Sequence, residues 1–283
     1  MALRKTNKQK ILRVLLYVIL IIYAIITIYP FLFAVSASFK PLSEITAGGM
    51  SLWSNHFTPQ QYIYLFNPSS GSLFINWTIN SLIVSIIGTA INVFLNSMAG
   101  YALAKLSFPG RQRIYYGIIA MIMVPAQVLL IPNYLIIKNL GLLNSFAALI
   151  LPMAINIGYI FMMRQFFLTF PSDVEEAAAI DGLSRTATFF RIVMPLARPS
   201  IATQAVFVFM GFWNNFLSPM LYLHDPSKFT LTVGLQSLQS ADQGGQMWNR
   251  VMAGSIMTII PIIILYIFFN GYFLQGVRMD GEK

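Results

Sequence analysis

The chain of 283 residues is 57% hydrophobic and only 10% charged, and its mean hydropathy is +0.69. Because a soluble domain normally carries about 25% charged residues to keep its surface hydrated, this composition excludes an ordinary soluble protein. The absence of cysteine excludes disulfides, thiolate nucleophiles and cysteine-ligated zinc. The two histidines, His56 and His224, are too far apart in sequence to suggest a metal site. The net charge is +9, but the basic residues flank apolar runs, which argues against a nucleic-acid-binding patch.

Runs free of Asp, Glu, Lys and Arg follow one another along most of the chain. A helix needs about 20 apolar residues to cross the hydrocarbon core, and six of these runs are long enough. The early part of the uncharged stretch 45–104 is rich in Ser, Asn, Pro and Gly, so it is predicted to form a loop before the second span. The sequence therefore predicts an all-α polytopic membrane protein with six transmembrane helices, at 14–39, 76–104, 114–137, 139–163, 200–224 and 251–277.

Lysine and arginine flank these runs unevenly, which indicates the orientation of the chain. If the N-terminus is cytoplasmic, only four of the 18 basic residues lie outside: Lys40, Lys138, Lys228 and Arg250. This bias predicts that the segments 1–13 and 278–283 at the two ends are both cytoplasmic. A cleaved signal peptide, with small residues around 34–38 at the cleavage site, is the alternative, although the apolar run is longer than the usual core of about 7–15 residues.

Polar side chains of the second predicted span recur at spacings of three or four and so share one helix face. They are Ser81, Ser85, Thr89, Asn92, Asn96 and Gly100. Amides in the bilayer are costly unless they are paired, so this face either joins helices or forms the wall of a polar passage. The same two alternatives apply to Gln127, Asn156, Gln204 and the segment 213–216, in which aromatic rings beside amides suit a sugar. The candidate substrate path consists of Trp213, Asn214, Asn215, Asn92, Asn96 and Gln127.

Ionisable groups are absent from the interior of all six predicted spans. Proton- and ion-coupled carriers often place such groups near the midplane of the membrane, so a carrier of this kind is disfavoured, although backbone carbonyls can also bind sodium. Energy for uphill movement is expected to come from another chain, because this one has no Gly-rich Lys-Ser/Thr phosphate loop.

The segment 164–198, between the fourth and fifth spans, holds four of the nine acidic residues, namely Asp173, Glu175, Glu176 and Asp181. Ser172 and Glu175 have the spacing of a capping box, which predicts the start of a helix, and the alanines that follow favour helix. Gly182 is expected to end this helix in a left-handed conformation. A second short amphipathic helix should follow and lead into the fifth span, with its apolar residues at Phe189, Phe190, Ile192 and Val193 and with Pro195 and Pro199 at its exit.

This helix–turn–helix resembles the EAA loop of permease subunits in binding-protein-dependent ABC importers. The motif is Glu-Ala-Ala, three residues, Gly, nine residues, Ile, any residue and Leu-Pro, and the chain matches this spacing throughout, with Met194 in place of the leucine. Outside the loop, GYALAKLSFPGR from Gly100, WNNFLSPM from Trp213 and FTLTVGLQSL from Phe229 are similar to the smaller maltose-type permease of the carbohydrate-uptake group.

The resemblance implies a type I ABC importer permease fold, with a six-span domain at 14–277 and an EAA loop at about 164–198 that inserts into a cleft of an ATPase. In that role Glu176 pairs with a basic residue of the ATPase, Gly182 makes the turn, and the apolar residues hold the loop against the membrane domain. The ATPase-coupling residues carried over from the motif are Glu176, Ala177, Ala178, Gly182, Ile192 and Pro195.

The resemblance also implies the partners and the location. These are a second homologous permease subunit, an ATPase dimer that carries ATP and Mg, an extracytoplasmic solute-binding protein, the lipid bilayer of a bacterial cytoplasmic membrane, and a sugar, with oligosaccharides favoured in this group. The chain itself is expected to hold no cofactor, to bind no nucleic acid and not to be an enzyme. It would form half of the translocation pathway.

The segment 236–248, between the last two spans, is polar. In the maltose-type system the matching loop reaches into the binding protein, which implies contacts by Gln236, Ser240, Gln243 and Trp248; a passive connector is the alternative. The rival functions are a permease for a non-sugar solute such as a polyamine, phosphate or peptide, an ion-coupled carrier, and a structural membrane scaffold.

Overall fold

The structure is a computed structural model that describes residues 7–47, 50–240 and 247–280, with the side chains of 10–47, 50–238, 247–269 and 271. Helices make up the regular structure of this part of the chain, which contains no β-strand. In chain order they are α1 Asn7–Ser38, α2 Leu42–Ala47, α3 Gln60–Phe66, α4 Phe74–Lys105, α5 Arg111–Ile122, α6 Leu130–Asn139, α7 Ala147–Ile150, α8 Ile157–Thr169, α9 Ser172–Ile180, α10 Arg185–Thr188, α11 Met194–Leu196, α12 Arg198–Trp213, α13 Leu217–Tyr222, α14 Leu231–Ser240 and α15 Trp248–Asp280.

Three helices are long and apolar enough to cross a membrane alone, over Lys10–Ser38, Phe74–Lys105 and Trp248–Phe269. They correspond to the first, second and sixth predicted spans. The third predicted span is bent by 94° between α5 and the segment Ala126–Asn139, and the fourth is bent by 45° between Ala147–Met153 and α8. A third bent pair consists of Arg185–Leu196 and α12, so the three single helices and the three bent pairs give up to six spans if each pair counts as one.

The fifth predicted span, 200–224, is not one continuous helix. The helix α12 ends at Trp213, and a new helical turn begins at α13 after residues 214–216. The Asn215 side chain explains the break, because its Oδ1 accepts a hydrogen bond of 3.3 Å from the backbone N–H of Ser218 and so starts the next turn. At its other end α12 meets the segment Arg185–Leu196 at a bend of 80°.

The chain divides into two compact units, one formed by the residues up to Ser72 with Leu235–Ile259 and the other by Leu73–Gly234 with the residues from Ile260 onward. In the first unit, the Lys40 side chain is buried and its Nζ donates a 2.6 Å hydrogen bond to the carbonyl of Ser51. The buried Asn249 amide donates to the carbonyl of Lys40 over 3.2 Å, and the Arg250 guanidinium lies 3.8 Å from the ring centre of Tyr64. These contacts fix the start of α15 against α3 and the end of α1.

The second unit is organised around α4, which packs most extensively against α8 and α12. Gly100 allows α8 to approach closely, because a Cβ at this position would lie 2.8 Å from Cβ of Met163 and 3.0 Å from the backbone nitrogen of Arg164. One apolar core includes Val84 on α4 and Phe212 on α12, and a second surrounds Tyr101 near the end of α4. This helix is therefore the common surface on which the other spans of the unit pack.

Candidate functional site

The helix α9 begins at Ser172 and ends just before Gly182, as the sequence predicts, but the start of the helix is not capped as expected. At its start, Pro171 precedes the helix and no side chain caps it, so the predicted capping box between Ser172 and Glu175 is wrong. At its end, Gly182 has a φ of +78°, which confirms the left-handed turn. The N–H of Leu183 donates to the carbonyl of Ala178 over 3.0 Å, and the N–H of Gly182 to Ala179 over 3.1 Å, which together form a Schellman motif.

The second arm of the hairpin is one continuous helical segment with a wide turn in its middle. Ser184 begins it, because its Oγ accepts a 3.2 Å hydrogen bond from the N–H of Ala187. A π-helical turn over Phe189–Val193 then joins α10 to α11. Phe189 and Val193 are buried, as predicted for the apolar side of this arm, whereas Phe190 is 43% exposed. Ile192 and Pro195 from the EAA motif are half-buried.

The two faces of α9 differ in exposure and composition. Ala178 is 2% exposed and lies against the rest of the unit, so it is not available to a partner in this conformation. The motif residues Glu176 and Ala177 are exposed on the opposite face. Ile180, which is not among the predicted coupling residues, lies four residues after Glu176 and is 87% exposed. The spacing of 173, 176, 177 and 180 places these residues on one helix face and is the signal that could have found Ile180.

Glu175 joins α9 to the end of α4. Its Oε1 accepts a 2.6 Å hydrogen bond from the hydroxyl of Tyr101, and its Oε2 lies 3.4 Å from Nζ of Lys105. The Lys105 ammonium also donates a 2.6 Å hydrogen bond to the carbonyl of Phe170, immediately before α9. We call Tyr101, Lys105 and Glu175 the Glu175 cluster. Sequence spacing gives no signal of this cluster, because Glu175 lies about 70 residues after the other two members.

Aromatic packing extends this connection to the second arm of the hairpin. The ring of Tyr101 lies 5.6 Å from the ring of Phe167 on α8, edge to face, and 4.9 Å from the ring of Phe189. Val193 and Ala197 belong to the same buried cluster and are fully buried. Both arms of the hairpin are therefore attached to the last two turns of α4, one through a carboxylate and the other through apolar side chains.

The polar face of α4 is buried between helices. Asn92 donates a 2.7 Å hydrogen bond to the carbonyl of Met153, and Asn96 donates to the carbonyl of Ala154 over 3.1 Å. Oδ1 of Asn96 accepts from the backbone N–H of Asn156 over 2.9 Å. Gln204 on α12 is also fully buried, and its Nε2 lies 3.3 Å from Oδ1 of Asn92. Here these amides join helices, which is the first of the two alternatives that the sequence left open.

A cavity of about 550 Å³ lies where the third, fourth and fifth spans are interrupted. We call it the break cavity, because its lining comes from both sides of the breaks at 123–125 and 154–156, and from residues at and after the break at 214–216. Its polar lining residues are Gln127, Asn133, Asn156, Asn215, Ser218 and Tyr222, and apolar residues such as Val124, Met153 and Leu217 supply the rest.

The residues of the candidate substrate path are thus separated by the structure. Gln127 and Asn215 line the break cavity. Asn92 and Asn96 are buried in the helix contact, and Trp213 is buried with its ring stacked 5.8 Å from that of Phe209. Asn214 is exposed at the end of α12.

Among the candidate binding-protein contacts, Gln236 is exposed on α14 and Trp248 is 37% exposed at the start of α15. Gln243 and the side chain of Ser240 lie outside the described residues.

Comparisons with known proteins agree on one family. The model of the family described as "Binding-protein-dependent transport system inner membrane component" matches residues 96–279. The chain is 36% identical over 281 residues to an arabinooligosaccharides transport system permease protein of Halalkalibacterium halodurans, with 99% of each chain covered. It is 32% identical over 289 residues to a polygalacturonan/rhamnogalacturonan transport system permease protein of Bacillus subtilis, covering 98% of this chain and 99% of that one.

Among solved structures, a chain of a bacterial ABC transporter involved in the import of the acidic polysaccharide alginate has the same fold. The TM-score is 0.85 at 24% sequence identity, and the match covers 96% of this chain and 100% of the other. The predicted type I importer permease fold is therefore confirmed.

Proposed function

The chain belongs to the family of binding-protein-dependent transport system inner membrane components, and from this premise we propose that it is the permease subunit of an ATP-driven ABC importer for an oligosaccharide. Members of the family are transport components, so the chain is not itself an enzyme. In the proposed complex this chain forms half of the translocation pathway, and a second, homologous permease subunit forms the other half.

The observation that carries this proposal is that helix α9 has one exposed face and one face that is bonded to the rest of the chain. Its exposed face presents Asp173, Glu176, Ala177 and Ile180, which combine two negative charges with a shallow apolar surface. Such a surface suits insertion into a cleft that offers a basic side chain at its rim. Its other face is attached to α4 through Glu175. A displacement of α9 by a docked partner would therefore be passed directly to a membrane-spanning helix.

The partner at α9 is an ATPase, because the family is a family of ABC importer components and this chain has no phosphate-binding loop. We propose that two ATPase subunits bind ATP and Mg and that one of them receives α9. The termini then lie on the ATPase side of the membrane. On the other side, a solute-binding protein delivers the substrate, and Gln236, Ser240, Gln243 and Trp248 are the proposed contacts with it.

The sugar substrate is supported by the relatives. Proteins similar to this chain over 98% or more of its length are named for the transport of arabinooligosaccharides and of polygalacturonan or rhamnogalacturonan. These are all carbohydrate polymers or their fragments. An oligosaccharide is therefore the substrate class that we propose, in preference to a polyamine, phosphate or peptide.

The test is sugar uptake in cells whose only copy of the permease carries Gly182→Asp. A non-glycine residue in the left-handed region costs about 1–2 kcal/mol, and the carboxylate adds charge at the docking surface. We expect normal abundance in the membrane but loss of uptake and of substrate-stimulated ATP hydrolysis. Gly182→Asn is the matched control, because asparagine has the same shape and the same backbone preference as aspartate but carries no charge.

Three outcomes would contradict the proposal. Wild-type uptake by Gly182→Asp at matched expression would mean that the EAA loop does not couple to the ATPase. Purification of the wild-type chain without an ATPase, combined with transport that depends on an ion gradient, would indicate a secondary carrier. Unchanged uptake after deletion of the gene would indicate a structural scaffold.

A further inference from the structure

The first membrane-spanning helix is longer than the hydrocarbon core is thick. Its apolar part, Lys10–Ser38, contains 29 residues, or about 44 Å at 1.5 Å per residue, whereas the core measures about 30 Å. Arg13 is the last basic residue before the apolar run and marks the inner boundary, so about 20 further residues bring the helix to the outer boundary near Phe33. Tyr29 then lies about 6 Å inside this boundary and Ser36 about 4 Å outside it.

After α2 the chain returns to this boundary and lies along the end of α1. We call residues 50–58 the α1 flap. The first three carbonyls of the flap each accept a hydrogen bond from a side chain at the end of α1 or just after it. The pairs are Tyr29 Oη to Met50, Lys40 Nζ to Ser51 over 2.6 Å, and Ser36 Oγ to Leu52 over 2.5 Å. Further along, Oγ of Ser54 donates to Glu44 over 2.7 Å, and the N–H of Thr58 donates to the carbonyl of Phe39 over 2.8 Å.

This pairing of consecutive carbonyls is what irregular backbone requires at the edge of the hydrocarbon. An unpaired C=O group costs several kcal/mol there, because no water is present to bond it. In bulk water the same carbonyls would be hydrated and would need no side-chain donors. One of the donors, Lys40, is only 4% exposed and uses its ammonium group for this purpose. The start of the α1 flap is therefore built to lie away from bulk water.

The apolar side chains of the α1 flap point away from the chain. Met50 is 70% exposed, Trp53 is 85% exposed and Phe57 is 62% exposed, and the flap contains no Asp, Glu, Lys or Arg. Tryptophan is enriched at membrane–water interfaces, because its ring is apolar and its N–H group seeks a polar partner. A soluble protein approaching from the water would not reach backbone at the level of Tyr29, whereas lipid surrounds a span at this level.

From the level of Tyr29, the paired carbonyls and the exposed Trp53, we propose that the α1 flap is a phospholipid-binding surface in the leaflet opposite the N-terminus. Acyl chains contact Met50 and Phe57, and the indole N–H of Trp53 donates to an ester or phosphate oxygen. This inference does not depend on which solute the importer carries.

The lipid contact would fix the depth of two spans. The carbonyl of Lys40, next to the end of α1, accepts a 3.2 Å hydrogen bond from the buried amide of Asn249 at the start of α15. The α1 flap is bonded to Lys40 as well. Lipid bound to the flap would therefore hold the outer ends of α1 and α15 at the same membrane interface.

The experiment places a spin label on the flap in the complete importer, reconstituted without its binding protein in nanodiscs of phosphatidylethanolamine and phosphatidylglycerol. The test variants are Met50→Cys and Trp53→Cys, and the control is Ser69→Cys, an exposed position of the same compact unit. The wild-type complex gives the background from the other subunits, because this chain has no cysteine. Collisions are measured with oxygen, which concentrates in the bilayer, with a water-soluble nickel chelate, and with a nickel chelate attached to lipid headgroups.

We expect labels at 50 and 53 to collide with oxygen and with headgroup-attached nickel, and their ratio of oxygen to soluble-nickel collisions to be several-fold higher than at 69. Access to soluble nickel equal to that at 69 would overturn the inference, because the flap would then face water. Protection from all three agents would also overturn it, because the flap would then be covered by the second permease subunit.

A measurement without a label guards against disturbance by the probe. Trp53→Phe keeps an aromatic ring, so the difference in fluorescence between the wild-type and Trp53→Phe complexes isolates the emission of Trp53. We expect this difference to fall several-fold in nanodiscs whose lipids carry bromine on their acyl chains, compared with unbrominated lipids. An equal difference in the two lipids would show that Trp53 does not contact phospholipid.

Discussion

The hydroxyl of Tyr101 lies 2.6 Å from Oε1 of Glu175, and this hydrogen bond joins the end of α4 to the beginning of α9. The neighbouring residue, Glu176, is exposed and makes no side-chain hydrogen bond to the described part of the chain. Two adjacent glutamates therefore have different surroundings: one is bonded within the chain and the other is free for a partner. Their substitutions should consequently have separable effects.

Substitution of Tyr101 by Phe should uncouple ATP hydrolysis from transport. The change keeps the aromatic packing against Phe167 and Phe189 but removes a hydrogen bond to a carboxylate, which is worth about 1.5–3 kcal/mol. We expect unchanged co-purification with the ATPase and several-fold less sugar imported per ATP hydrolysed. A double-mutant cycle with Glu175→Ala measures the interaction, and additive effects of the two changes would show that the hydrogen bond does not contribute.

Substitution of Glu176 by Ala should instead weaken docking. Alanine keeps helix propensity, so α9 should still fold, and the lost contact is with the partner. Removing one member of an interfacial charge pair typically costs about 2–5 kcal/mol, because the other charge is left unpaired. We expect reduced co-purification with the ATPase and reduced uptake at normal membrane abundance. Stable association equal to that of the wild type would contradict the docking role.

The membrane orientation can be tested with single cysteines, because the chain has none of its own. Ser69 and Ser184 are both exposed, and the basic bias places them on opposite sides of the membrane. We expect an impermeant thiol reagent added to whole cells to label Ser69→Cys and not Ser184→Cys. Labelling of Ser184→Cys requires permeabilised cells. The reverse pattern would contradict the six-span arrangement with both termini inside.

Substitution of Asn96 by Ala should reduce stability and not substrate recognition. The change removes hydrogen bonds to the fourth break, including the one to the N–H of Asn156. Interhelical hydrogen bonds in membranes are worth about 0.6–2 kcal/mol, so we expect lower abundance and a lower unfolding temperature in detergent. Uptake per molecule of protein should be close to that of the wild type, with Asn139→Ala, an exposed amide at the end of α6, as the control. A loss of uptake at normal abundance would contradict this prediction and would indicate that Asn96 contacts the substrate.

Deletion of 240–245 should impair delivery of the sugar. These residues are the last residue of α14 and the polar segment that follows it, which we propose to contact the solute-binding protein. We expect uptake to fall while the permease still co-purifies with the ATPase. The measurement is uptake at several concentrations of binding protein, and normal uptake by the deletion would leave this segment a passive connector.

The sequence predicted the turn at Gly182 because its cause is local, since a glycine that follows a helix-forming segment readily adopts the left-handed conformation that ends a helix. It mispredicted the capping box because Glu175 has a stronger partner in Tyr101, which is 74 residues away in the chain. Spacing alone cannot reveal a competing long-range partner of this kind.

The break cavity shows the same limit. The hydropathy pattern located the third, fourth and fifth spans but predicted a continuous helix for each of them, because a bend does not change the average composition of a span. Pro125 and Asn156 stand at the third and fourth breaks, and each has a local reason to interrupt a helix. What the sequence could not show is that these interruptions enclose a common space.

The interrupted spans also have a consequence for biogenesis. The inner segments α5, α8 and α12 contain 12 to 16 residues, which is fewer than the roughly 20 needed to cross the bilayer. Their exposed backbone ends find partners on α4, for example through Asn92. We therefore expect that α1, α4 and α15 can each enter the lipid from the translocon independently. The broken spans, in contrast, should enter the lipid only after they have packed against α4.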